Sequence, residues 1–466
     1  MIFYLKRGKG FYAELIRLAI PIILQNLITN SLAVVDTFMV GMLPGEEPMS
    51  AVTMANIPIF VVLLGIFGLQ SGASVLISQF WGKKDMDAIN RVLGVGMYAA
   101  GGLTILFSLV MFCFPLSFMG LFSNNDALVP LAAQYAKIVG FSYIFESLTQ
   151  LYIGAQRSME HPRLGLYILS ISMCSNTFLN WVLIFGNLGA PALGVRGAAL
   201  ATLMSRVLQF AVMVVYAVTN RRFRLRPAAL LRPGRAILTA YIRYATPVVC
   251  NETLWGLGTS LFPTIMGHMD ESTAILAAFT LAGNVEKLCT VVIFAVAATA
   301  AILVGREIGA GKIATVYETG VALTLVAMLG GAVVGATTLV LNVTLIRRVA
   351  VSLFGLSGRT REIAMVMIAM TALFLPLRAF NTTNVVGVLR GGGDVRAVAL
   401  IDLIPLWLVA VPLSALVGVV LRMDIAWMYL CMMMESVVKF CLGAYRLRSR
   451  AWIHDITRVD WQKEKV

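Results

Sequence analysis

The chain is expected to be an all-α integral membrane protein, with about twelve transmembrane helices in two parallel repeats of six. Three observations lead there. Hydrophobic residues make up 59% of the 466 residues, mean hydropathy is +0.85 and only 13% are charged, against roughly 25% in soluble domains. Apolar stretches of about 20 residues, long enough to cross a bilayer core of about 30 Å, recur along the whole length. The second half is also a faint copy of the first. Arg17-Leu18-Ala19-Ile20-Pro21 returns as Arg243-Tyr244-Ala245-Thr246-Pro247, and Gly41 as Gly267. Val75-Leu76-Ile77 with Gly82 returns as Ile302-Leu303-Val304 with Gly309, and Gly154, Arg157 and Arg163 as Gly387, Arg390 and Arg396. Two repeats in a membrane protein point to two bundles around a shared path, the plan of a secondary transporter.

The first six segments lie near 11–42, 50–81, 89–117, 128–156, 163–186 and 194–219. The second six lie near 240–269, 272–304, 315–342, 361–389, 396–420 and 425–447. Helices are the fitting reading, because barrel strands would be about ten residues long with alternating polarity. Six helices return the chain to its starting side, so the repeats enter the membrane in the same orientation. The organisation expected is an N-lobe at 1–219, a basic linker at 220–239, a C-lobe at 240–450 and a tail at 451–466.

The net charge of +14 does not imply nucleic acid, because the basic residues follow topology. Lys6, Arg7, Lys9, Lys83, Lys84, Arg91, Arg157, Arg163, Arg306, Lys312, Arg390, Arg396, Arg446, Arg448 and Arg450 fall on one side of a twelve-helix plan. So do the linker residues Arg221, Arg222, Arg224, Arg226, Arg232 and Arg235. The positive-inside rule then places both termini and the linker in the cytoplasm. Arg347, Arg348, Arg359 and Arg361, beside an outer loop, break the rule. The first apolar segment is too long for a cleaved signal peptide and carries Asp36. A multi-pass protein of the plasma (inner) membrane, monomeric and in contact with lipid, is expected.

Catalytic and metal sites find no support. Cys113, Cys174, Cys250, Cys289, Cys431 and Cys441 lie singly, with no CxxC spacing. His161, His268 and His454 form no HExxH pattern, and neither a phosphate loop nor a GxGxxG after a strand occurs. No enzyme activity and no cofactor are expected.

What remains are ionisable and polar residues within the membrane, each costly in lipid and so a functional candidate. Asp36 leads. It lies fifteen residues after Pro21, about 22 Å further along a helix rising 1.5 Å per residue. A poorly hydrated carboxylate can take up and release a proton, or exchange it for a cation. Pro21 removes a backbone hydrogen bond and lets helix 1 bend. The alternative is that Asp36 only caps or bonds a neighbouring helix. Asn176 and Asn180, four apart, share one face of helix 5. Thr202 ends a small-residue run, Gly197-Ala198-Ala199-Leu200-Ala201-Thr202, that permits close helix contact; such groups could equally serve packing.

The chain resembles the multidrug and toxic compound extrusion (MATE) family of efflux transporters over nearly its whole length. The resemblance rests on Pro21 with Asp36, on Gln79-Phe80-Trp81-Gly82-Lys83-Lys84-Asp85, on Asn176 and Asn180, on Gly197 to Thr202, and on Gly387-Val388-Leu389-Arg390-Gly391-Gly392-Gly393-Asp394. It implies two six-helix lobes forming a V-shaped cleft, and antiport of organic cations against protons or sodium. It also implies an N-lobe site at Asp36, Asn176, Asn180 and Thr202, although the family pattern has an aspartate where this chain has Asn180. Other branches carry a helix 7 glutamate and a helix 10 acid. Here Glu252 stands about one turn before the usual position, held by Trp255, and Arg378-Ala379 replaces the acid. Glu252 is thus either a further cation or substrate site or the partner of Arg378 in a fixed ion pair. Glu146, repeat-related to Ala379, is expected to be structural, and Asp402, Glu435 with Lys439, and Glu286 beside Lys287 to form internal pairs.

The expected function is cation-coupled export of organic, cationic amphipathic compounds by alternating access. The alternative is a flippase of a lipid-linked oligosaccharide or other lipid. A membrane enzyme or receptor is a distant third.

Overall fold

The computed structural model describes residues 2–45, 47–123, 125–220, 223–346 and 358–457. Arg221, Arg222, Arg347 and Arg348 lie outside the described residues. Among the described residues twelve long helices follow one another in the order expected. They are α1 (Lys9–Gly41), α2 (Glu47–Lys83), α3 (Met86–Cys113), α4 (Leu128–Ser158), α5 (Arg163–Phe185) and α6 (Val195–Thr219), then α7 (Arg235–Gly267), α8 (Ser272–Gly309), α9 (Ile313–Thr344), α10 (Gly358–Leu389), α11 (Val395–Val420) and α12 (Ile425–Ser449). Eleven are long and apolar enough to cross a membrane by length and composition. The twelfth, α7, carries Arg235, Arg243 and Glu252 within the same length. Proline shapes α11: Pro405 and Pro412 lack amide hydrogens, and the backbone around them widens into π-helical turns at Pro405–Ala410 and Leu416–Val420.

The chain divides into two compact units, one of Leu24–Val249 and the other of Met1–Ile23 with Cys250–Thr457. Two helices therefore contribute to both units. The divisions fall after Ile23 in α1 and after Val249 in α7, 226 residues apart, the spacing that separates Pro21 from Pro247. The internal repeat thus appears in the fold as well as in the sequence. The described residues of the basic linker lie within the first unit.

In that unit an apolar core joins α1, α2, α4 and α6 through residues such as Val40, Ala55, Ala132, Val139 and Ala198. Gly197 explains the small-residue run: a Cβ there would meet Leu183 O at 2.2 Å, so glycine lets α6 lie on the backbone end of α5. The linker is folded down on α3. Asn90 accepts from the Arg226 amide at 3.0 Å, Arg91 donates to Arg232 O and Pro233 O at 3.1 and 3.2 Å, and Tyr98 donates to Leu231 O at 3.3 Å.

The second unit holds two larger apolar clusters. One packs Leu15, Leu18 and Ile22 of α1 among Leu303, Leu323, Val388 and Trp452. The other joins Phe262, Met266, Met367 and Tyr429. Arg306 clamps the start of α1 by donating to both Glu14 oxygens, at 2.7 and 3.2 Å. Residues 451–457 fold back, burying Trp452 against Gly392, and its indole donates to Leu447 O at 3.0 Å. The outer-side arginine that broke the charge rule has partners. Arg359 sits 2.8 Å from Glu271 and 3.4 Å from Asp424, so its charge is locally compensated. Large apolar side chains stay exposed on the long helices, among them Phe38, Leu106, Val215 and Leu408, as surfaces in contact with lipid require.

Candidate functional site

Asp36, Asn176, Asn180 and Thr202 converge in the first unit. The periodicity of α5 turns Ser172, Asn176 and Asn180 to one buried face. Asn180 Nδ2 donates to Asp36 Oδ1 at 2.6 Å and to Asn176 Oδ1 at 3.1 Å. Asn176 in turn donates to Ser205 Oγ at 3.4 Å, and Ser205 to Thr202 O at 2.9 Å. Tyr135 of α4 interacts with Thr202 and, like Tyr143, lies within electrostatic reach of Asp36. The result is a polar cluster built by α1, α4, α5 and α6. Asn180 Oδ1 is buried there without a hydrogen-bond partner among the described residues.

Glu146 is a different kind of acid. It accepts from Arg206 at 2.5 Å, Gln209 at 3.0 Å and Gln150 at 2.7 Å, and Arg206 also donates to Gln209 at 3.0 Å. Three donors on one carboxylate fix its position. Arg206 was not among the residues picked out above, though the signal existed: an arginine inside an apolar span, four residues after Thr202 and so on the same face of α6.

In the second unit the expected Glu252–Arg378 pair does not form. Glu252 is 2.9 Å from Arg390, whose side chain is 1% exposed, and Arg378 is 2.5 Å from Glu286. Register explains the exchange. Arg390 follows Arg378 by twelve positions, about 18 Å along a helix, so the two arginines serve different depths. Of the other expected internal pairs, those of Asp402 and of Glu435 with Lys439 are formed, whereas Glu286 takes Arg378 and not its neighbour Lys287. Asp402 accepts from Lys439 and Asn251, each at 2.9 Å, and Lys439 reaches Glu435 at 2.7 Å.

Arg390 has a counterpart. Its repeat mate Arg157 donates to Gln25 at 2.6 Å, and Gln25 also donates to Pro162 O. Gln25 lies four residues after Pro21, and Glu252 five after Pro247. In each unit an arginine from the loop end of the fourth helix of a repeat, half-buried for Arg157 and buried for Arg390, thus grips the crossing helix just beyond its proline.

Two segments of the chain, residues 21–182 and 247–416, match the MatE family model, one in each repeat. The chain belongs to the MatE family of membrane transporters. It is 25% identical to the uncharacterized transporter YisQ of Bacillus subtilis over 454 residues, 96% of this chain and 97% of that protein. It is 28% identical to the probable multidrug resistance protein NorM of Bradyrhizobium diazoefficiens over 421 residues, 86% of each chain. Among solved structures, an outward-facing multidrug resistance MATE transporter of the MOP superfamily superposes with a TM-score of 0.82. That likeness covers 96% of this chain and 99% of the other at 18% identity, and shows the shared fold. Membership fixes the broad class: a multi-pass membrane transporter.

Proposed function

We propose that this MatE transporter exports organic, cationic amphipathic compounds by alternating access, in exchange for a proton or sodium ion that binds at Asp36. One observation carries the assignment of Asp36. Glu146, Glu252, Glu286, Asp402 and Glu435 each have an arginine or lysine nitrogen within 2.9 Å. Asp36, in the same kind of surroundings, has no such ion pair within 4.0 Å among the described residues and bonds the neutral Asn180. A lone intramembrane carboxylate is costly to keep charged, whereas one that alternates between empty and ion-loaded states repays its place. Glu252 supports the N-lobe choice from the other side, because its tie to Arg390 fits a fixed ion pair. The family and its multidrug resistance relatives support drug export. The protein acts as a monomer in the plasma membrane, with both termini cytoplasmic, in line with the charge pattern.

The test is efflux of ethidium from proteoliposomes under independently imposed proton and sodium gradients. Export should follow at least one gradient in wild type and neither in Asp36→Asn. Gradient-independent movement of a fluorescent lipid, with no ethidium export, would favour the flippase reading.

A further inference from the structure

The contacts around Asp36 bear on which ion it takes. Asn180 presents N–H groups, not its oxygen, to both Asp36 and Asn176. From α6, Arg206 stands within electrostatic reach of Asp36 while its guanidinium is bonded to Glu146 at 2.5 Å. From α4 come Tyr135, Tyr143 and Glu146 itself. With Asp36 and Glu146 ionised, the cluster holds two negative charges against the one on Arg206, leaving one to be neutralised.

We propose that Arg206 is a tethered cation that makes this a proton site and excludes sodium. This rests on the antiport reading above. A sodium ion at Asp36 keeps its full charge, needs several oxygens around it, and is repelled by the guanidinium. Glu146, bonded to the guanidinium, offsets part of that repulsion, and what remains weakens sodium binding on the order of tenfold. A proton adds no separate cation and needs one acceptor. Rotation of the Asn180 amide would supply it, turning the buried and unpartnered Oδ1 to receive the Asp36 O–H. Glu146 then has a defined task. Held by Arg206, Gln150 and Gln209, it keeps the guanidinium from closing on Asp36 and locking it as another fixed pair.

The experiment uses purified full-length protein and 22Na+ binding at alkaline pH, where protons do not compete. Wild type should show no saturable sodium binding. Glu146→Gln with Arg206→Gln removes the pair together, so no buried charge is left unmatched, and should gain saturable binding. Adding Asp36→Asn should abolish that gain, and Arg206→Lys should leave sodium excluded. In proteoliposomes, ethidium export should follow the proton gradient alone in wild type and respond to sodium in the double variant. Saturable 22Na+ binding by wild type would overturn the proposal, as would a folded double variant that still binds none. The binding measurement does not depend on transport. Failure of both gradients to drive wild-type export would therefore count against the antiport reading and leave the sodium exclusion to be judged by binding.

Discussion

Asn180 Nδ2 lies 2.6 Å from Asp36 Oδ1, joining the first and fifth helices of the N-terminal repeat through a carboxylate that has a neutral partner. Asp36→Asn keeps this geometry and removes the ionisable group. The variant should reach the membrane folded, with export at the level of empty liposomes. Measured at matched reconstitution, wild-type efflux from it would remove Asp36 from the coupling step. One proton entering down about 150 mV supplies roughly 3.5 kcal/mol, at about 2.3 kcal/mol per 100 mV. That supports a neutral-substrate gradient of a few hundredfold at most.

Glu252 and Arg390 are predicted to act as a structural pair. Removing one partner of a buried ion pair typically costs about 3–5 kcal/mol, because the other charge is left unmatched. Glu252→Gln alone should lower the thermal midpoint sharply, and Glu252→Gln with Arg390→Gln should recover part of the loss. Arg378→Gln should give no such recovery, since Arg378 is bonded to Glu286. A stable but inactive Glu252→Gln would reassign the glutamate to ion or substrate binding.

Gly94 should be intolerant of any side chain. A Cβ there would meet Leu230 O at 2.2 Å and other Leu230 backbone atoms at 2.9–3.0 Å, so Gly94→Ala forces the linker away from α3. The hydrogen bonds from Arg91 and Tyr98 to the linker carbonyls would be strained or lost. Overpacking of this kind costs about 1–3 kcal/mol. Limited proteolysis should then cut the linker faster than in wild type, and unchanged cleavage would show that the linker is not held on α3.

The fold was legible in the sequence because lipid imposes simple rules: length, apolarity and charge side locate each helix, and the repeat orders them. The Asp36, Asn176 and Asn180 cluster was legible through spacing on one helix face together with the family pattern. The pairing of charges across helices was not. Arg390 read as a cytoplasmic topology marker, yet it is buried on Glu252. Arg206 was passed over inside an apolar span although it is bonded to Glu146. Helix periodicity states which residues share a face, whereas interhelical register decides which faces meet at one depth, and a single sequence does not carry that register.

The last prediction concerns the two prolines of the crossing helices. Pro21 in α1 and Pro247 in α7 are repeat-related, and each lies two residues before the point where its helix passes from one unit to the other. Only α1 carries an acid fifteen residues later; the matching position in α7 is Phe262, packed in an apolar cluster. A proline removes one backbone hydrogen bond and permits bending there. If ion loading at Asp36 is read out through the shape of α1, Pro21→Ala stiffens the helix that matters, and its export rate should fall well below that of Pro247→Ala. If the prolines serve only relative motion of the units, both substitutions should slow export alike. Rates compared at equal protein per liposome decide the question, with thermal midpoints as the control for folding. Equal losses in two equally stable variants would remove the link between the bend in α1 and the ion at Asp36.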